Sequence, residues 1–245
     1  MMMAAALMLL ATPALAEKPA DKLSDAQRAQ VQEIVRQMLK DHPEMVLEAI
    51  DALEAKEAKE KQDIEAKAQA ALKSKTAELT RDGDDGVAGN PKGDVTLVEF
   101  FDYRCGYCKS MVDRIADIVK ADGHVRVVYK EFPILGPNSI VASKAAIASM
   151  RQGKYLPFHD ALMASKGNLD EDAIYSLAKD AGLDVERLKH DMTDPAIDKL
   201  VAKNKDLAKV LDIDGTPGFI IGQQIIRGAS DEATLKQAIA QARAS

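Results

Sequence analysis

The chain has 245 residues, 47% of them hydrophobic, enough for one sizeable core plus a smaller element. Aromatic residues make up only 4% and tryptophan is absent, so neither an aromatic cage nor a base-stacking platform is expected. The formal net charge is −6 and no basic cluster is long enough for a nucleic-acid footprint, so no nucleic-acid partner is expected.

Residues 1–16 are almost wholly apolar and end in Ala14-Leu15-Ala16. This pattern matches the apolar stretch and small-residue cleavage site of a secretory signal peptide, although the usual basic region is missing. The segment is too short to span a bilayer as a stable helix. The expectation is a mature chain that starts near Glu17 and works in the periplasm or another secreted location; an inert apolar tail is the alternative.

Residues 17–81 read as nearly continuous helix. Ser24 is placed to cap its start, with Gln27 three residues on. Val31, Ile34, Val35, Met38 and Leu39 form an apolar stripe. His42-Pro43 breaks it, because the residue before proline resists the α conformation, and Pro43 can open the next helix. Met45, Val46, Leu47, Ile50 and Leu53 continue an apolar face. From residue 54 charge and alanine take over, leaving only Ile64, Ala68, Leu72 and Leu79 as a thin stripe. That composition predicts an exposed spacer or half of a weak coiled coil, roughly 55 Å long at 1.5 Å per residue if 43–79 is one helix. The amphipathic face of 31–53 must bury itself against a second copy or against its own chain, so the region is assigned to oligomerisation or spacing.

Residues 82–93 are rich in turn formers and read as a linker to a domain over 82–245. Residues 95–101 form a buried-strand run, 105–121 a helix with Met111, Ile115 and Ile118 on one face, and 125–132 a second strand. A parallel pair with a right-handed crossover follows. Residues 137–212 read as four or five short helices punctuated by Gly153, Gly167, Gly182 and Pro195. A hairpin around Gly222-Gln223 and a last helix over 231–244, capped by Ser230, close the chain. The order β-α-β, helical block, β-β-α predicts an α/β thioredoxin-like fold with a central helical insertion at about 137–212, preceded by an all-α extension.

Only two cysteines are present, Cys105 and Cys108, in one Cys-x-x-Cys. A structural disulfide framework needs more pairs and a structural zinc site needs four ligands. The pair must therefore act on itself, on a metal or on a partner. Cys105 sits where a helix follows a strand, and unpaired N–H groups with the positive end of the helix dipole favour a thiolate there. That makes Cys105 the candidate nucleophile. Cys108, one turn on, is the candidate that resolves a mixed disulfide by intramolecular attack. Gly106 and Tyr107 between them tune the stability of dithiol against disulfide. No cofactor is expected beyond the redox-active Cys105–Cys108 pair, and no metal site. The four histidines (His42, His124, His159, His190) lack ligand spacing and read as surface or helix-end residues.

The segment Phe-Phe-Asp-Tyr-Arg-Cys-Gly-Tyr-Cys-Lys at 100–109 resembles the active site of the DsbA-like branch of the thioredoxin superfamily. Asp-Gly-Thr-Pro-Gly-Phe-Ile at 214–220 resembles the loop in which those proteins hold a cis-proline beside the active site. The resemblance implies a cis Thr216–Pro217 bond; an ordinary trans turn is the alternative. It also implies that the backbone before Pro217 pairs with an extended substrate segment, with Thr216, Pro217, Gly106 and Tyr107 in contact with it. Members of the family often carry an acid on the first strand beneath the site, which makes Glu99 a candidate proton acceptor for Cys108; a solvent-facing glutamate is the alternative. Lys130 is a candidate neighbour of Glu99.

Residues 34–50 resemble the N-terminal helical segment of ScsC-type proteins, suppressor-of-copper-sensitivity relatives of DsbA, which also share Cys-Gly-Tyr-Cys and a threonine before the cis-proline. That resemblance implies a homo-oligomer, trimers among them, formed through the N-terminal helices. It implies a disulfide isomerase or reductase of exported thiol- or disulfide-containing proteins, kept reduced by a membrane redox partner. A monomeric dithiol oxidase and a Cu(I)-binding protein using the same thiolates are the alternatives.

Overall fold

Three short runs of β-branched and aromatic residues build the centre of the molecule. The protein is described by a computed structural model over residues 23–244. The leader expected at 1–16 lies outside those residues.

The chain divides into two units, one ending at Lys59 and one beginning at Glu60. In the first, helix α1 (Asp25–Asp41) starts at Ser24, whose hydroxyl accepts from Gln27 N while the Gln27 side chain returns to Ser24 N. This reciprocal pair satisfies two N–H groups that a helix start leaves open. α1 stops at His42, and helix α2 (Glu44–Thr80) begins just past Pro43. The two apolar stripes lie on these helices, and every large apolar residue in them is between 43% and 63% exposed.

In the second unit a five-stranded sheet, whose edge strand β1 is Gly86–Gly89, has the order β1-β3-β2-β4-β5. Strands β2 (Val95–Phe101) and β3 (Val125–Glu131) pair in parallel and are joined by helix α3 (Gly106–Asp122). β4 (Gly218–Ile221) runs antiparallel to β2, and β5 (Gln224–Arg227) antiparallel to β4. Between β3 and β4 lie helices α4 (Pro137–Ser149), α5 (Tyr155–Ala164), α6 (Glu171–Asp180), α7 (Val185–Asp191) and α8 (Pro195–Val210), and α9 (Glu232–Ala244) follows β5. The predicted thioredoxin-like order with a helical insertion is the order observed.

Alternation along the strands separates two cores. Val95, Leu97, Val127, Phe219 and Ile221 face Met111, Ile115 and Ile118 of α3 and Leu235 and Ile239 of α9. Val98, Phe100, Val128 and Ile220 face Leu72 and Leu79 of α2 and Leu207 and Leu211 beside α8. The helical insertion packs around Phe101, Tyr103 and Phe158.

Four expectations are corrected. The linker at 82–93 contains strand β1 (Gly86–Gly89), which pairs antiparallel with β3. Its Gly86 lies so close to the Tyr155 ring that a Cβ would sit 1.9 Å from it, which short apolar periodicity cannot reveal. The thin stripe on α2 is not a spacer throughout: Ala68, Leu72 and Leu79 are at most 1% exposed. Lys130 is buried, but on the α2 face of the sheet, where its Nζ donates to Glu78 O at 2.7 Å and pairs with Asp85. Register places Glu99 opposite Tyr129, so one step along the strand turns Lys130 away from it. The last helix is capped by Asp231, whose carboxylate accepts from Thr234 N at 2.7 Å, rather than by Ser230.

Lys130 and Arg126 both close the C-terminus of α2, on the carbonyls of Glu78 and Thr80. Replacing Leu79 by alanine opens a cavity in a side chain that is 0% exposed, and a loss of about 2–5 kcal/mol is expected from urea unfolding. A chain shortened to begin at residue 82 exposes the apolar sheet face as well and should unfold at lower urea than one beginning at residue 60.

Candidate active site

The site forms where β2 runs into α3. Asp102 follows the last strand residue and is fully buried. Its carboxylate accepts from Arg104 N, Ile134 N, Leu135 N and the Ser139 hydroxyl, at 2.7–2.9 Å. One side chain thus ties the loop before Cys105 to the loop after β3. Sequence reasoning missed it, although an aspartate two residues before a chain reversal is the signal of such a turn.

Cys105 is the N-cap of α3, with extended backbone (φ −76°, ψ 112°), and its Sγ accepts from Cys108 N at 3.2 Å. Both thiols are free. The Cys108 side chain lies within the first turn and is 0% exposed, whereas Cys105 keeps a 5% opening. Tyr107 between them is 71% exposed, and nothing stands within 4 Å of where a Gly106 Cβ would be, so both intervening residues border open space.

The Thr216–Pro217 bond is cis. The Thr216 carbonyl lies 3.3 Å from Cys105 Sγ, where it accepts from the protonated thiol. Behind the pair, Glu99 is 2% exposed and its Oε1 has no hydrogen-bond partner in the described residues. Cys105, Cys108, Thr216, Pro217 and Glu99 are therefore gathered in one place, with Gly106 and Tyr107 on its rim.

The two thiols are driven apart in acidity. Hydrogen bonding from Cys108 lowers the Cys105 thiol to about 6, outweighing the opposing effect of burial, and the Thr216 side chain and the backbone of Tyr107 and Cys108 act in the same direction. The Cys108 thiol is pushed up, first by its bond to Cys105, then by burial and the Glu99 charge. Burial raises Glu99 to about 8, and charge on Cys105 adds to that. At neutral pH this arrangement holds one reactive thiolate at a narrow opening and one protonated thiol beneath it, with a neutral carboxyl behind.

His159, expected at the surface, is buried in the helical insertion. It stacks on Tyr129 at 4.2 Å between centroids, and its Nδ1 lies 3.1 Å from the Tyr103 hydroxyl. Tyr103 and Tyr155 both donate to Glu131 Oε1 at 2.9 Å. Burial lowers His159 to about 3 and raises Glu131 to about 8, so both are neutral at pH 7. His42, His124 and His190 are exposed. Among the described residues no group of three or more His, Cys, Asp or Glu comes together as a metal site, and no helix is long and apolar enough to cross a membrane.

The acidity of Cys105 has a consequence for stability. Its thiol titrates lower in the folded protein than the ordinary thiol value of 9.0, so between about 6 and 9 the unfolded reduced chain binds more protons. The reduced form should gain stability relative to the oxidised form as pH rises through that window and lose the gain as pH falls through about 6. Thermal unfolding of both forms from pH 5 to 9 measures it. Burial of Glu99 is common to both forms and cancels in the difference, whereas its elevation by the Cys105 charge belongs to the reduced form alone.

A thioredoxin-like oxidoreductase from Silicibacter pomeroyi is 41% identical, with a TM-score of 0.68, the match covering 69% of this chain and 98% of that one. The ScsC protein of Proteus mirabilis, in a transitional conformation, is 32% identical with a TM-score of 0.66, over 91% of this chain and 97% of the other. Over 160 residues the chain is also 28% identical to the Na(+)/H(+) antiporter NhaA 1 of Salinispora arenicola, and this match spans only about a quarter of the antiporter's length, 24%. The pattern of the DSBA-like thioredoxin domain matches residues 96–240, which includes Cys105, Cys108 and the Thr216–Pro217 loop, and the chain belongs to that family.

Proposed function

We propose that this protein is an extracytoplasmic thiol–disulfide oxidoreductase that reduces or reshuffles disulfides in exported proteins. The observation that carries the reading is the opposite displacement of the two thiols, Cys105 down to about 6 and Cys108 up. A thiolate at Cys105 attacks a client disulfide. The client bond breaks, a Cys105–client bond forms, and the released client sulfur leaves as a thiolate. Cys108 or a second client thiol then displaces Cys105. Once Cys105 is in the mixed disulfide its charge no longer holds the Glu99 proton; Glu99 releases that proton to solvent and then takes the proton of Cys108 as it attacks. Thr216 and Pro217 bind the client backbone, and Gly106 and Tyr107 border it.

The isomerase or reductase direction is supported by the first unit. Its apolar stripes stay open to solvent, with Ile34 58% and Leu47 63% exposed. Such faces associate, and a second copy of the same helices offers a matching surface. Several tethered sites raise the effective concentration of a second thiol near a client held by the first. A membrane reductase partner keeps the pair reduced. The lowered Cys105 thiol also serves the oxidase reading, because it stabilises the reduced form and so makes the disulfide a stronger oxidant. A Cu(I) role would rest on two thiolates alone, because Met111 nearby is fully buried in the core.

Light scattering on the whole protein should give a mass of more than one copy. Replacing Leu39 and Leu47 by lysine should yield single copies and slow the refolding of a scrambled-disulfide protein about tenfold or more. Reduction of a small peptide disulfide should change little in the same variant. A monomeric whole protein, or a pair trapped mostly oxidised in living cells, would favour the oxidase. Cys105→Ser should abolish exchange, and Cys108→Ser should accumulate mixed disulfides.

A further inference from the structure

Beside the active site, a groove of about 750 Å³ separates α3 from the connection between α5 and α6. Arg104, Lys109 and Val112 line one side of it, and Met163 and Lys166 the other. We propose that this groove binds the flank of a client segment that carries carboxylates within a few residues of its reactive cysteine. The inference rests on the exchange reading above and names a substrate class for it.

The groove adjoins the nucleophile. Arg104 immediately precedes Cys105, and Lys109 N donates to Cys105 O at 3.1 Å. Its cations have no carboxylate partner among the described residues. Arg104 donates to the Leu135 carbonyl and Lys109 to the Ser165 carbonyl, and among the described residues neither they nor Lys166 sits against a carboxylate. Elsewhere in this unit Lys144, Arg151, Lys203, Arg227 and Arg243 all do. The thiolate does not occupy them either: the hydrogen bond into Cys105 Sγ comes from the Cys108 backbone. Lys109 is partly desolvated, and burial lowers its pKa by disfavouring the charged ammonium, so an incoming anion would recover lost stabilisation.

Charge along the groove has a direction. Arg104 and Lys109 lie within one turn of Cys105, while Asp113 lies a turn farther along α3 and Asp160 stands on α5. A client carboxylate close to the reacting cysteine meets cations, and one placed farther away meets these acids. The chain as a whole carries a formal charge of −6, so a preference for acidic clients must come from this local arrangement and not from the overall field.

The test uses symmetrical disulfide dimers of one short peptide, with glutamate, glutamine or lysine two residues before and two after its cysteine. In each turnover Cys105 breaks the peptide disulfide and releases one peptide thiol. Cys108 then forms the Cys105–Cys108 disulfide and releases the second, moving two electrons to the peptides. Rates are read by quenched flow with mass spectrometry, relative to those with dithiothreitol. The glutamate dimer should react about fivefold or more faster than the glutamine dimer at low salt, with lysine slowest. Flanking carboxylates make the peptide sulfur a poorer leaving group, so the dithiothreitol reference should show the reverse order. Lys109→Gln combined with Lys166→Gln should bring the glutamate-to-glutamine ratio near one, as should 1 M salt, where the screening length is about 3 Å. Lys166→Gln alone, at an exposed loop position, should lower the ratio and serves if the double variant does not fold. Equal rates in the unaltered protein, or a preference that survives these substitutions, overturns the groove proposal. If no dimer is reduced at all, the exchange reading falls instead.

Discussion

The hydrogen bond from Cys108 N into Cys105 Sγ is the interaction around which the site is organised. It exists because Cys105 caps α3, leaving a helix N–H free to point at the sulfur. The same turn buries Cys108 directly behind. One backbone geometry therefore makes one thiol acidic and the other reluctant to ionise. That geometry needs the loop before it held still, and the four bonds into Asp102 do so by fastening the β2–α3 connection to the loop after β3. The sheet beneath supplies the rest: β4, paired to β2, brings Pro217 and Thr216 to the sulfur from the other end of the sequence.

The order of elements and the position of the pair were legible in the sequence because they follow from local signals. The apolar runs at 95–101 and 125–131, and a Cys-x-x-Cys directly after the first of them, need no knowledge of the tertiary structure. What stayed hidden depends on partners distant in the chain. Lys130 and Glu99 differ in environment only through strand register, which sends one to the α2 face with Asp85 and the other beneath the cysteines. His159 looked like a surface residue because a single histidine in a helix carries no sign of the Tyr103 and Tyr129 rings that enclose it. β1 is four residues long with two glycines, too short and too weakly patterned to stand out from turn formers.

Helix α2 shows how composition divides one element between two roles. Its residues before Lys59 place large apolar side chains on an exposed face. After Glu60 the apolar residues are few, yet Ala68, Leu72 and Leu79 are nearly or fully buried, Leu72 and Leu79 against Val98, Phe100 and Val128. A sparse stripe was enough because the sheet provides a broad apolar surface, so few contacts from the helix side complete the core. The helix end is then fixed electrostatically, by Lys130 and Arg126 on its last carbonyls, which suits the negative end of the helix dipole.

The uncompensated burial of Glu99 fits the proposed exchange. A charged carboxylate with an unpartnered oxygen at that depth is costly, and the site avoids the cost by keeping the group protonated, at about 8. The thiolate at Cys105 contributes to that elevation. When Cys105 passes into a mixed disulfide its negative charge disappears, so Glu99 loses one of the two influences that hold its proton. It becomes the stronger acid of its own cycle at the moment when Cys108 must shed a proton to attack. Its ionised form in turn raises the Cys108 thiol through repulsion, which favours a direct handover over two separate charges in the same buried space. In the proposed exchange, acid and nucleophile are thus coupled through charge, and the covalent state of Cys105 would set when Glu99 is available as a base.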